Sequence, residues 1–276
     1  MTVATPLTEV LDRFQALPVD ERMPTMFIGH GTPMNALEDN TWTEQWREVG
    51  GKLPRPRAII SVSAHWLTQG GVLITANDAP RMNYDMYGFP DELYQLVYPA
   101  PGNVSIASEI AEAMPKEVPC FGDNRWGFDH GTWVVLKHMF PDADIPVIQL
   151  SIDYSRPPAF HFDLARKLSS LRDKGLLIIG SGNLVHNIRL RDGKPYDWAI
   201  EFDQKIADFI DRRDFESVVD FQQLGRIADL SHPTYDHFLP LLYTLGLARP
   251  DELITSFCEG WQMPAASMRS FLVSAA

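Results

Sequence analysis

A chain of 276 residues with 45% hydrophobic and 22% charged residues has the makeup of a folded globular protein with a sizeable core, which excludes a disordered or fibrous chain. Its formal net charge of -12 argues against broad attraction to nucleic acid or to an anionic membrane, and leaves small molecules as the expected partners. No apolar run reaches the length of a membrane span, no secretory signal is visible in MTVATPLTEVLDRF, and Cys120 and Cys258 read as two unpaired structural thiols in a reducing cytoplasm.

Leu7, Val10, Leu11, Phe14 and Leu17 stand at helical spacing, which predicts an amphipathic leader that packs on the body or on a second subunit. PTMFIGH (24 to 30) and RAIISVSAHW (57 to 66) are strand-like runs on either side of a segment whose Trp42, Trp46 and Val49 share a helix face. The crossover is long enough for a parallel βαβ unit. Residues 77 to 101, rich in Pro, Tyr and Gly and without a sustained period, predict a long loop with at most a short helix, of the kind that forms lids or pocket walls. Val104, Ile106, Ile110 and Met114 predict a helix, PVIQLSID (146 to 153) a buried strand, and Phe160, Leu164, Leu168 and Leu171 another helix. GLLIIGSGNLVHN (175 to 187) reads as a strand ending in a glycine turn and a histidine. Trp198, Phe202, Ile206, Phe209 and Ile210 mark a further helix, and LPLLYTLGL (239 to 247) a short apolar one with Pro240 tolerated near its start. The alternation predicts a single α/β domain with a central mostly parallel or mixed sheet flanked by helices.

Five of the eight histidines lie in short polar segments directly after, or between, apolar strand-like runs: His30 in IGHGTP, His65 in SVSAHW, His130 in GFDHGTW, His186 in GSGNLVHN and His237 in PTYDHFLP. Imidazole is the commonest ligand for iron and zinc, and ligands from several strand ends can converge where the carboxyl edge of a sheet opens. No HExxH or CxxC signature is present, so the placement carries the argument for one metal site. Three of them also have a structural reading: His30 as a turn residue between Gly29 and Gly31, His65 as a core residue, and His237 as a helix cap or surface residue beside Asp236, with His232 as its competitor. Asp129 is a candidate to orient His130, and Gly131 leaves room for a ligand. His138 and His161 read as structural. Gly180 and Gly182 lack the rest of a GxGxxG pattern and a P-loop lysine, so a nucleotide site is not expected.

Taken together, IGHGTPMNALEDN, SVSAHW, YPAPG, WGFDHGTWVVLKHMFPDADIPVIQLSID, SGNLVHNI and HFLPLLYTLG closely resemble the extradiol ring-cleavage dioxygenase superfamily of the protocatechuate 4,5-dioxygenase catalytic-subunit type, and within it the bacterial and plant DOPA 4,5-dioxygenase branch. The resemblance begins near residue 23. It divides the chain into an N-terminal helical extension (1–22) and a catalytic domain (23–276). It implies a single non-haem metal, Fe(II) in active enzymes and Zn(II) in some preparations, with catechol and O2 as substrates. By motif match His30 and His65 are the first two ligands, and His237 stands where classical members carry a ligating glutamate, a departure from the two-histidine-one-carboxylate pattern. His186 matches the active-site histidine that is a base in some members and a ligand in the DOPA branch. His130 matches the second active-site histidine, next to substrate, and is expected to supply acid/base help.

Two rival readings stand beside this one. Three histidines around zinc suit a hydrolase that uses metal-bound hydroxide, whereas four histidines that close the coordination sphere suit a non-catalytic metal- or small-molecule-binding protein. For the substrate pocket the candidates are Tyr84, Tyr87, Phe89 and Tyr98 as an aromatic wall, or as simple packing, and Arg125 as a partner for a substrate carboxylate, or as an exposed ion-paired residue. The oligomeric state is left open.

Overall fold

The computed structural model describes residues 6–14, 22–191 and 193–275. Its strands, in chain order, are β1 (Thr25–Gly29), β2 (Ala58–Thr68), β3 (Val72–Thr75), β4 (Cys120–Asp123), β5 (Val147–Asp153), β6 (Leu176–Gly182), β7 (Glu252–Phe257), β8 (Trp261–Met263), β9 (Ala266–Ser267) and β10 (Ser270–Ala275). Eight of them form one mixed sheet in the order β4-β3-β5-β2-β6-β1-β10-β7, and β8 and β9 form a separate small hairpin. The centre of the sheet is parallel: β5 with β2, β2 with β6, and β6 with β1. β10 and β7 complete one side in antiparallel sense.

The helices are α1 (Leu7–Phe14), α2 (Thr41–Lys52), α3 (Asp91–Gln95), α4 (Val104–Ala113), α5 (His130–Met139), α6 (Pro158–Lys167), α7 (Asp197–Asp211), α8 (Phe215–Val219), α9 (Arg226–Ser231) and α10 (Leu239–Gly246). They cover both faces of the sheet, and the strands sort their side chains between the two cores by the period-two rule. Met26 and Ile28 of β1, Ile59 of β2 and Leu177 and Ile179 of β6 pack with residues of α1, α2 and α5. Phe27, Ile60 and Val62, and Leu176 and Ile178, pack on the other side with α4, α6, α7 and α10. Burial on both faces is why these strands read as continuous apolar runs. Two side chains cap key helices: Asn40 accepts from the Trp42 and Thr43 N–H groups of α2, and Asp129 accepts from the Thr132 N–H of α5.

The single α/β domain with a mixed sheet is the architecture expected from the alternation. Every strand and helix predicted by period is present within a few residues of its expected span, and residues 77 to 101 contain only the short α3. Of the leader, Val10, Leu11 and Phe14 are buried in the core that also holds Trp46 and Trp133, so α1 packs on the body; Leu17 lies outside the described residues. The short strands β3 and β4 and the C-terminal strands have no strong period of their own, and their pairing is decided by neighbours distant in sequence.

Candidate functional site

Three adjacent parallel strands, β2, β6 and β1, open at their carboxyl ends onto the histidine cluster. His30 follows β1 directly, and its N–H donates to Gly182 O at 3.0 Å. His65 lies in β2 where the register with β5 shifts between Val62 and Leu67, a bulge of the kind that re-aims a side chain. His186 comes from the loop after β6, with its N–H bonded to Ser231 O at 3.0 Å. His237 sits just ahead of α10, and its carbonyl accepts the Asn183 N–H at 3.0 Å. Gly182 makes this approach feasible, because a Cβ there would lie 2.1 Å from His237 O. The glycine turn thus serves backbone packing.

Hydrogen bonding decides which nitrogen each ring offers. The Ser181 hydroxyl donates to Gly131 O at 2.5 Å, which commits its only proton. His30 Nδ1, 3.0 Å from the same oxygen, is therefore the donor, and its Nε2 keeps a free lone pair. His237 Nδ1–H donates to the Asp236 carboxylate, while its buried Nε2 has no partner. His65 Nδ1 lies 3.4 Å from Asp85 Oδ2, and its Nε2 stands 3.1 Å from His30 Nε2. Among the described residues, His30, His65 and His237 form a group whose ligand atoms all lie within 4.8 Å of one another. Burial, followed by the repulsion of neighbouring imidazoles, holds all three well below the ordinary histidine value, so they are neutral at pH 7. Neutral rings whose Nε2 atoms converge, with the Nδ1 of His30 and of His237 held by hydrogen bonds and that of His65 facing Asp85, fit a transition-metal ion.

His130 occupies the first turn of α5, its ring centroid 3.8 Å from that of His65. Its Nδ1–H donates to Asp85 Oδ2 at 3.0 Å and its backbone N–H to Asp85 Oδ1 at 2.9 Å. Burial pushes the Asp85 carboxyl up, but the hydrogen bond and charge of His130 outweigh it and bring the group below the usual carboxylate range. Asp85, on the long loop, thus fills the orienting role expected of Asp129. The Asp129 carboxylate instead accepts from Ser63 Oγ at 2.7 Å and Gln149 Nε2 at 2.7 Å, and caps α5. No period or motif marks Asp85, one of four carboxylates in the long loop with Asp78, Asp91 and Glu92.

His186 stacks on His237, with ring centroids 3.4 Å apart and planes at 8°. It groups with Asp236 and His237 and stands outside the spacing that joins His30, His65 and His237. Burial brings its imidazole down to about 4, against the pull of Asp236. The other histidines are structural: His232 donates from Nε2 to Leu184 O at 2.9 Å, His138 from Nε2 to Asn35 O at 2.7 Å, and His161 Nδ1 meets the Tyr243 hydroxyl at 3.1 Å.

The five clustered histidines and Asp85 line a cleft of about 430 Å³, a size suited to a small aromatic molecule. Met86, Tyr87, Gly88 and Phe89 wall it on the loop side, while Ile188, Arg191 and Met263 also contribute. Of the aromatic candidates Tyr87 and Phe89 belong to the cleft, whereas the Tyr84 and Tyr98 hydroxyls donate to Leu96 O and Phe140 O within the core. Arg125 is not a cleft residue: its side chain is 86% exposed, 3.6 Å from Asp123.

Residues 24–269, which carry this five-histidine cleft, match a family described as the catalytic LigB subunit of aromatic ring-opening dioxygenase. The chain belongs to this family. LigB enzymes are metal-dependent and cleave aromatic rings with O2, and the chain is an extradiol dioxygenase of that type. It is 45% identical over 258 residues to the Escherichia coli K12 protein named 4,5-DOPA dioxygenase extradiol, a match that covers 90% of this chain and 94% of the relative. The Beta vulgaris protein of the same name is 36% identical over 270 residues, 91% of this chain and 97% of the relative. A crystal structure of an uncharacterised E. coli K12 protein superposes with a TM-score of 0.80 at 42% identity, covering 92% of this chain and all of that one. Among the described residues, no helix of this LigB chain is long and apolar enough to cross a membrane.

Proposed function

We propose that this LigB-family chain opens the ring of a DOPA-like catechol at the extradiol position, with both atoms of O2 entering a muconic semialdehyde-type product, and that Fe(II) held by His30, His65 and His237 is the working cofactor. The supporting observation is the convergence of three neutral imidazoles at the base of a cleft that His130 and His186 also line. An all-histidine set retains the full charge of the ion and also accepts Zn(II). Bound there, the iron ion supplies Lewis acidity toward the catechol oxygens and the redox capacity that brings O2 into reaction.

The chain's own groups handle the protons. Asp85 holds the His130 Nδ1–H, so that Nε2 is the atom presented for proton exchange with substrate. His186, parallel to His237 instead of converging with His30 and His65, is suited to accept a catechol proton, which favours the base over the ligand role. Met86 and Phe89 exclude water from the ring. Both cysteines are unpaired, in keeping with a cytoplasmic location.

The test is O2 uptake by anaerobically Fe(II)-loaded protein given DOPA, together with the visible band of a ring-opened semialdehyde. Single alanine substitutions of His30, His65 and His237 are expected to lose bound metal, whereas His130→Ala and His186→Ala keep it and lose about 10²–10⁴-fold in turnover. Absence of uptake with verified iron overturns the substrate reading, and metal loss in His186→Ala overturns the base assignment.

A further inference from the structure

Arg191 is the sole lysine or arginine among the residues lining the cleft, in a chain whose formal net charge is -12. It follows His186 on one segment, and that segment is tied down. The Asn187 N–H donates to Ala265 O and its Nδ2 to Leu230 O, both at 2.8 Å, and the Leu190 N–H closes a turn on Asn187 O at 3.2 Å. Arg191 Nε–H donates to Ile188 O at 3.1 Å. Arg191 is an exposed residue of the cleft lining; this local bond orients its guanidinium through Nε, and its two terminal nitrogens have no hydrogen-bond acceptor among the described residues. The carboxylate that lines the same cleft, Asp85, is committed to His130. The cleft therefore offers one solvent-accessible cation with a donor edge suited to bidentate recognition of a carboxylate.

We infer that Arg191 determines substrate specificity by binding a carboxylate on the ring substituent, so that the site selects catechols bearing an acidic side chain over neutral or cationic ones. Ile188 and Met263 provide apolar surface for the methylene linker between ring and acid. The inference rests on the catechol reading above, and it concerns the end of the substrate away from the reacting oxygens.

The experiment compares wild-type and Arg191→Gln metal-loaded protein by anaerobic calorimetry with two probes, 3,4-dihydroxyphenylpropionate and 4-methylcatechol. Loss of a charge-assisted bidentate contact is expected to weaken the acid by about 10-fold or more and to leave 4-methylcatechol within about twofold. In turnover the same variant raises KM for the acid with kcat retained. Equal affinity of both proteins for the acid, or an equal loss for both probes, overturns the assignment. A selective binding loss in protein that consumes no O2 with either probe overturns the ring-cleavage reading and leaves Arg191's role standing; O2 uptake unaffected by the substitution does the reverse.

Discussion

Asp85 faces two histidines at once: both its oxygens accept hydrogen bonds from His130, and Oδ2 also lies 3.4 Å from His65 Nδ1. One carboxylate thus sets the tautomer of the imidazole proposed to exchange protons and lies beside a proposed ligand. Asp85→Asn keeps the shape but loses the charge and places an amide N–H₂ against the ring on one side. The expected outcome is a fall in kcat of about 10- to 100-fold, in the range found when the orienting partner of an active-site imidazole is removed, with bound metal retained. Metal analysis alongside steady-state kinetics checks it: unchanged kcat would remove Asp85 from the mechanism. Ser181 plays the matching part for His30, since the bond from its hydroxyl to Gly131 O compels the ring to donate from Nδ1.

β6 and α10 meet through backbone contact. A Cβ on Gly180 would lie 2.3 Å from Pro240 O, and one on Gly182 2.1 Å from His237 O, so the strand can approach the start of the helix only because both positions are bare. That approach carries His237 to the ends of β1 and β2. Gly182→Ala is expected to push the His237 segment outward, lower stability by about 1–3 kcal/mol and reduce metal content. Gly51→Ala in α2, where nothing lies within 4 Å, is the control and should be neutral or stabilising by up to about 1 kcal/mol. Thermal unfolding and metal analysis of both variants separate the two cases; equal behaviour would show that the close approach does not hold the site.

Two histidines outside the cluster, His161 and His232, are brought down to about 4 by burial. On acidification the unfolded chain takes up their protons first, near pH 6.5, while the fold resists until about pH 4. Their contribution is thus complete above about pH 6.5 and is lost as the pH falls toward about 4. Denaturant midpoints should be flat above neutrality and decline below it, and His161→Gln, which cannot titrate, should show the shallower slope; a midpoint that rises on acidification would contradict the sign. The same tertiary packing separates what was readable along the chain from what was not. Apolar period, which is local, was enough for the α/β alternation and the central strands, and strand-end position for His30, His65 and His186, whereas His130 opens α5 and His237 precedes α10, so strand ends did not mark them. Sheet order, the antiparallel β10 and β7, and the packing of α1 on the body required contacts between distant segments. So did the partner of His130: Asp85 and Asp129 are both plausible in sequence, and only the path of the long loop brings Asp85 to the ring while Ser63 and Gln149 occupy Asp129. Arg125 and Arg191 are likewise equivalent as residues and both are exposed, and only the fold sets the second, and not the first, at the cleft. Residue type and period act over a few neighbours, whereas a site is a meeting of side chains far apart along the chain, and its membership is decided when the sheet closes.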